Sequence, residues 1–129
     1  MHRSRLAGFI LDCRTDDLEK AAQFWSAALG VPLKPAAEEA SPIYRQLLTG
    51  PNDLHMEVQK VEHESRVHID IETDDIEAEV RRLEALGARR VAHVKRWWVM
   101  ESPAGQRFCV VRPQRADFEQ RANAWPGEG

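Results

Sequence analysis

VHIDIETDDIEAEVRRLEALG, residues 67–87, decides the fold. Its first six residues alternate apolar and polar: Val67, Ile69 and Ile71 against His68, Asp70 and Glu72. On a strand, residues i and i+2 share a face, so this segment reads as a strand with one apolar and one polar face. From Ile76 the period changes. Ile76, Val80, Leu83 and Leu86 recur at spacings of three and four, which predicts an amphipathic helix. Thr73 or Asp74 is the expected N-cap, and Gly87 the expected stop.

The chain carries a second version of this stretch. FILDCRTDDLEKAAQFWSAALG, residues 9–30, aligns with it through Asp17-Leu18-Glu19 over Asp75-Ile76-Glu77, an offset of 58. Leu18, Ala21, Ala22, Trp25, Ala28 and Leu29 form the apolar stripe of its helix, with Thr15 or Asp16 as N-cap and Gly30 as stop. Later, LLTGPNDLHMEVQK (47–60) aligns with VMESPAGQRFCVVR (99–112), each with a proline at a hairpin turn. Each half therefore reads strand, helix, irregular segment, strand, turn, strand. The irregular segments are Pro32 to Pro42 and the shorter, basic Arg89 to Arg96.

Alternation assigns the faces. Phe9, Leu11 and Cys13 oppose Ile10, Asp12 and Arg14; Leu54, Met56 and Val58 oppose His55, Glu57 and Gln59. The apolar faces are expected to bury against the helices. The other faces are expected to be left uncovered, which would gather Asp12, His55, Glu57, His68, Asp70 and Glu72 on one polar surface.

Composition limits the function. The 129 residues, 43% hydrophobic and 30% charged with a formal net charge of −3, fit a globular chain without the basic excess of a nucleic-acid binder. No apolar run approaches the ~20 residues of a membrane span. The opening MHRSRLAGF lacks an apolar core, so no secretory signal is expected and a cytoplasmic location follows. Cys13 and Cys109, inside predicted strands, read as small buried hydrophobes of a reducing compartment.

The repeated unit resembles the vicinal oxygen chelate superfamily, which includes glyoxalase I, bleomycin-resistance proteins, fosfomycin-resistance enzymes and extradiol dioxygenases. The residues that carry the likeness are the Asp-Leu/Ile-Glu helix starts, Phe24–Gly30 (FWSAALG), Val67–Asp70 (VHID) and the late hairpin prolines. The resemblance implies an α+β fold of two βαβββ modules, about 6–60 and 64–113, forming a cupped, mostly antiparallel sheet with helices on its outer face. Residues 114–129 would be a tail that closes over a pocket or a partner, or frays. It also implies a homodimer and a small-molecule ligand or substrate, while composition and charge point to no membrane or nucleic-acid partner.

The family's metal-using members converge four strand positions on one ion. Counted onto this chain, those positions fall on Ile10, Glu57, His68 and Cys109. Only Glu57 and His68 match the usual ligand types. Ile10 cannot ligate, and Cys109 suits a softer ion. The divalent metals open to such a set are Fe, Mn, Ni or Zn, and the missing ligand at Ile10 weighs towards none. His68, Glu57 and Asp70 are the candidate catalytic groups. Asp12, His55, Trp98, Arg107 and Cys109 are the candidate ligand contacts; Trp97 or Trp98, being adjacent, must face opposite sides of a strand. Two functions remain open: a glyoxalase-like lyase, isomerase or dioxygenase acting on a small metabolite, or a metal-free protein of the bleomycin-resistance kind that sequesters its ligand.

Overall fold

The computed structural model describes residues 1–127, so the last two residues of the expected tail lie outside the described residues. It is an α+β fold with a mixed sheet: eight strands and three α-helices among the described residues. The chain forms two compact units. One is Phe9–Val67; the other joins Met1–Gly8 to the chain from His68 onwards.

The first unit holds the second half of β1 (His2–Arg14), α1 (Leu18–Leu29), β2 (Tyr44–Leu47) and β3 (His55–Val61). Its core is Leu11, Ala22, Leu47 and Val58, flanked by Cys13, Leu18, Ala21, Trp25 and Met56. The apolar parity of β1 and β3 thus meets α1 as the alternation requires. The segment before β2 forms only one short 3-10 turn and an isolated bridge from Leu33 to Leu47. Pro32, Pro35 and Pro42 supply no N–H there, which keeps it from becoming a full strand.

The second unit runs β4 (Arg66–Thr73), α2 (Ile76–Ala85), β5 (Arg89–Val94), β6 (Trp97–Glu101) and β7 (Arg107–Val111), then α3 (Phe118–Arg121) and β8 (Asn123–Trp125). β4 and β7 are parallel, while β7–β6 and β6–β5 are antiparallel. Val80, Leu83, Met100, Phe108 and Val110 form its core. Residues Arg89 to Val94 are a strand, where the sequence suggested an irregular segment. The strand carries a bulge between Arg90 and Ala92, which interrupts the alternation that would have announced it.

Both helices begin one or two residues later than expected. Asp17 caps α1 by accepting from Lys20 N at 3.0 Å, and Asp75 caps α2 by accepting from Ala78 N at 3.0 Å. The preceding threonines orient those caps: Thr15 Oγ1 accepts from Asp17 N at 3.0 Å, and Thr73 Oγ1 from Asp75 N at 3.1 Å. The Thr-Asp-Asp of each repeat is therefore one device used twice.

The face assignments need three corrections. Val67 and Ile69, expected to be buried, are 59% and 39% exposed, because only Ile71 of that row reaches the core under α2. Ile10 and Asp12, expected on an uncovered face, are buried. Glu72, expected beside His68 and Asp70 on an open polar surface, is fully buried. Arg5 Nε donates to its Oε2 at 2.7 Å and Arg115 Nε at 3.0 Å, and the Gln114 backbone N–H donates to Oε1. Glu72 thus fastens the segment after β7. That segment continues into β8, which pairs antiparallel with the first residues of β1.

Candidate functional site

The parallel pairing of β4 with β7 brings the candidate residues of the second unit together. Asp70 lies opposite Cys109 in the register, and His68 is one strand period before Asp70 on the same face. His68 Nε2 stands 3.5 Å from Asp70 Oδ1, with both side chains largely covered. One donor atom each from His68, Asp70 and Cys109 lie within 4.8 Å of one another. The rest of the face follows from register. Val99 of β6 sits opposite Cys109, Trp97 is two residues before it, and Glu101 lies opposite Arg107.

Trp98 does not belong to this face. It packs on the core beneath α2, stacks against His93 with ring centroids 4.7 Å apart and receives the Arg90 guanidinium at 5.0 Å. Of the adjacent pair, Trp97 takes the side that carries Cys109. The parity of Met100, an obvious core residue, could have settled this, since Trp98 shares it.

The remaining candidates lie in the first unit. His55 Nε2 and Glu57 Oε1 form a 2.7 Å hydrogen-bonded pair. Directly across from β3, Tyr44 opposes Gln59, whose amide donates to the Tyr44 hydroxyl at 3.0 Å. Asp12 forms an ion pair with Arg66 at 3.8 Å. Burial, with Asp12 beside it, raises the pKa of the neighbouring Cys13 thiol, which keeps it protonated and inert. Both cysteines are free thiols.

The fit to a metal can be judged from the donors. Ile10 offers none. His68, Asp70 and Cys109, however, supply nitrogen, oxygen and sulfur on one patch of two paired strands. In a tetrahedral zinc site with bonds of about 2.0–2.3 Å, neighbouring ligand atoms are about 3.3–3.7 Å apart. The His68–Asp70 separation already matches, and closing Cys109 onto them takes about 1 Å of side-chain movement at most. The donor set fits a borderline-soft divalent ion. It has one histidine where the two-histidine, one-carboxylate set of a non-haem iron oxygenase needs two, with Cys109 in place of the second.

Arg107 was singled out as a ligand contact, and Glu101 was not. Glu101 Oε1 accepts from Arg89 Nε at 2.8 Å and its Oε2 from Arg107 Nε at 3.2 Å. Its period-two relation to Trp97 and Val99 was the available signal. Glu101 is held below the usual carboxylate range by Arg89 first and also by Arg107, against an opposing effect of burial.

Comparison with solved structures places the fold. A hypothetical protein from Bacillus halodurans C-125 superposes with a TM-score of 0.60 at 12% identity, covering 88% of this chain and 97% of that one. A Streptomyces coelicolor methylmalonyl-CoA epimerase, bound to 2-nitronate-propionyl-CoA, gives 0.54 at 16% identity over 84% and 96%. A methylmalonyl-CoA epimerase bound to methylmalonyl-CoA and NH4+ gives 0.52 at 14% identity over 88% and 98%. No curated protein matches the chain in sequence. Residues 8–111 match the family model of the glyoxalase-like domain. With two repeated β–α units, a mixed sheet of this kind and epimerase structures as neighbours, the chain belongs to the glyoxalase-like domain family of the vicinal oxygen chelate superfamily.

Proposed function

We propose that this protein binds a small metabolite on the β4–β7 face and that His68, Asp70 and Cys109 hold a zinc-like divalent cation there. The observation that carries the reading is the convergence of three different donor types within 4.8 Å. When bound, such an ion supplies Lewis acidity to an oxygen or sulfur of the ligand. The chain's own residues orient it: His68 and Asp70 from one strand, Cys109 from its parallel neighbour, with Trp97 on the adjoining strand as an aromatic wall. Among the chemistries open to the family, this donor set supports a lyase or isomerase rather than a dioxygenase, and the epimerase neighbours support the same choice.

A metal-free reading is favoured by one observation, the absence of a donor at Ile10. In that reading Asp70 orients His68, which works as a general base or holds the ligand by hydrogen bonding. A cobalt titration decides between them. The cation reading expects one Co2+ per chain, with a thiolate-to-cobalt absorption band that Cys109→Ser removes and His68→Ala abolishes through loss of binding. Zinc should displace the cobalt. No uptake by the folded wild-type chain would overturn the cation site and leave the metal-free, ligand-binding reading.

A further inference from the structure

Three charged side chains form a row beside the cation site. Arg89, Glu101 and Arg107 lie directly opposite one another across β5, β6 and β7, on the face that carries Cys109. One carboxylate between two guanidinium groups leaves a net charge of +1. Each arginine binds Glu101 through Nε alone, and among the described residues neither makes a further hydrogen bond or ion pair. Their terminal NH2 groups keep their donors, and Arg107 and Arg89 are 35% and 63% exposed at the side chain. An edge ladder of ion pairs would balance its charges and engage the guanidinium forks; this row does neither. Arg107 is two residues from Cys109 on one strand, a displacement of about 7 Å.

We propose that the ligand is an acid, with a metal-binding oxygen or sulfur atom at the His68–Asp70–Cys109 end and a carboxylate that Arg107, with Arg89 beside it, receives about 7 Å away. The net charge of +1 matches a monoanion. A phosphate dianion would leave an excess negative charge against Glu101. The guanidinium fork of Arg107 also matches a carboxylate in two parallel hydrogen bonds. The inference rests on the cation reading for one end of the ligand only.

The test compares two thiols that differ in a single charge and whose extended chains span that separation, 5-mercaptopentanoate and 5-mercaptopentanamide, titrated calorimetrically into the zinc-loaded protein. The acid should bind about tenfold more tightly than the amide in the wild type. Arg107→Gln should reduce that preference to about onefold while zinc uptake stays unchanged. Glu101→Gln should increase it, because it removes the competing carboxylate. Arg81→Gln, which deletes the same charge on the exposed face of α2, should leave it as it was. Equal binding of acid and amide by the wild type, or equal losses in Arg81→Gln and Arg107→Gln, would overturn the acid subsite and leave the cation site standing. If zinc does not bind, the cation reading fails instead. The same acid and amide, titrated into the metal-free chain by tryptophan fluorescence, then decide the subsite: a preference lost in Arg107→Gln supports it, and no preference overturns it.

Discussion

His68, Asp70 and Glu72 share one face of one strand, yet they have separate tasks. His68 and Asp70 stand as a 3.5 Å pair next to Cys109, whereas Glu72 is sealed under two arginines and two backbone N–H groups. Alternation identifies the face, but what covers each position comes from residues far along the chain. Arg5 is 67 residues before Glu72 and Arg115 is 43 after it. No local pattern around IETDD carries that information. Glu72→Gln should therefore behave as a structural variant. It removes the anion that Arg5 and Arg115 share, leaving Arg5 with Asp117 alone, and costs about 3 kcal/mol, as breaking a buried ion pair does. Urea denaturation should show a lower midpoint, and cobalt uptake at His68, Asp70 and Cys109 should persist in the folded fraction. A Glu72→Gln protein as stable as the wild type would show that the pairs contribute nothing.

At the scale of elements, the repeat was legible because each unit solves the same local problem with the same residues. Thr-Asp-Asp places a threonine hydroxyl on the N–H of the capping aspartate, and the aspartate on the third N–H beyond it. Asp17→Ala and Asp75→Ala should accordingly cost similar amounts, about 1 kcal/mol each, and the two losses should add in the double variant because the caps share no partner. Unequal losses in denaturant midpoints would show that one helix start is held by something other than its cap. What the sequence obscured at this scale was interruption. The bulge in β5 broke the period of two, so Arg89 to Val94 passed for a loop. The exposure of Val67 and Ile69 was hidden for a different reason: apolar alternation says which face a residue takes, but not how far along the strand the covering helix extends. The candidate site shows the same division. His68, Asp70 and Cys109 were each picked out, but their convergence depends on a parallel β4–β7 register that the sequence does not state, and Trp97 replaces Trp98 by parity alone.

For the molecule as a whole, the least legible feature is the allegiance of the first eight residues. By repeat alignment they precede the first unit; in the structure they belong with the second. Polar residues tie them there. His2 and Ser4 are buried, His2 Nε2 lies 2.8 Å from Glu79 Oε1, and the Trp125 indole donates to Ser4 Oγ at 2.7 Å. Arg82 clamps the same carboxylate through Nε at 2.9 Å and Nη2 at 2.8 Å, beneath the Trp125 ring at 3.9 Å. Burial pushes the Glu79 carboxyl up, but hydrogen bonds from Arg82, His2 and Ser4 outweigh it and hold the pKa below its ordinary 4.5. A carboxylate with a depressed folded pKa contributes stability that is complete above its unfolded pKa and is lost as pH falls through the folded one. The contribution of Glu79 is thus intact at neutral pH and fades only below about 4.5. Glu79→Gln removes the charge at every pH. At pH 7 the variant should melt below the wild type, with the gap narrowing as the pH drops below about 4.5 and the wild-type carboxyl takes up its proton. Paired thermal melts at pH 7 and pH 3.5 check this. A gap that stays constant between the two would mean that the Glu79 carboxylate does not titrate with folding, and that His2, Ser4 and Trp125 are held by packing rather than by its charge.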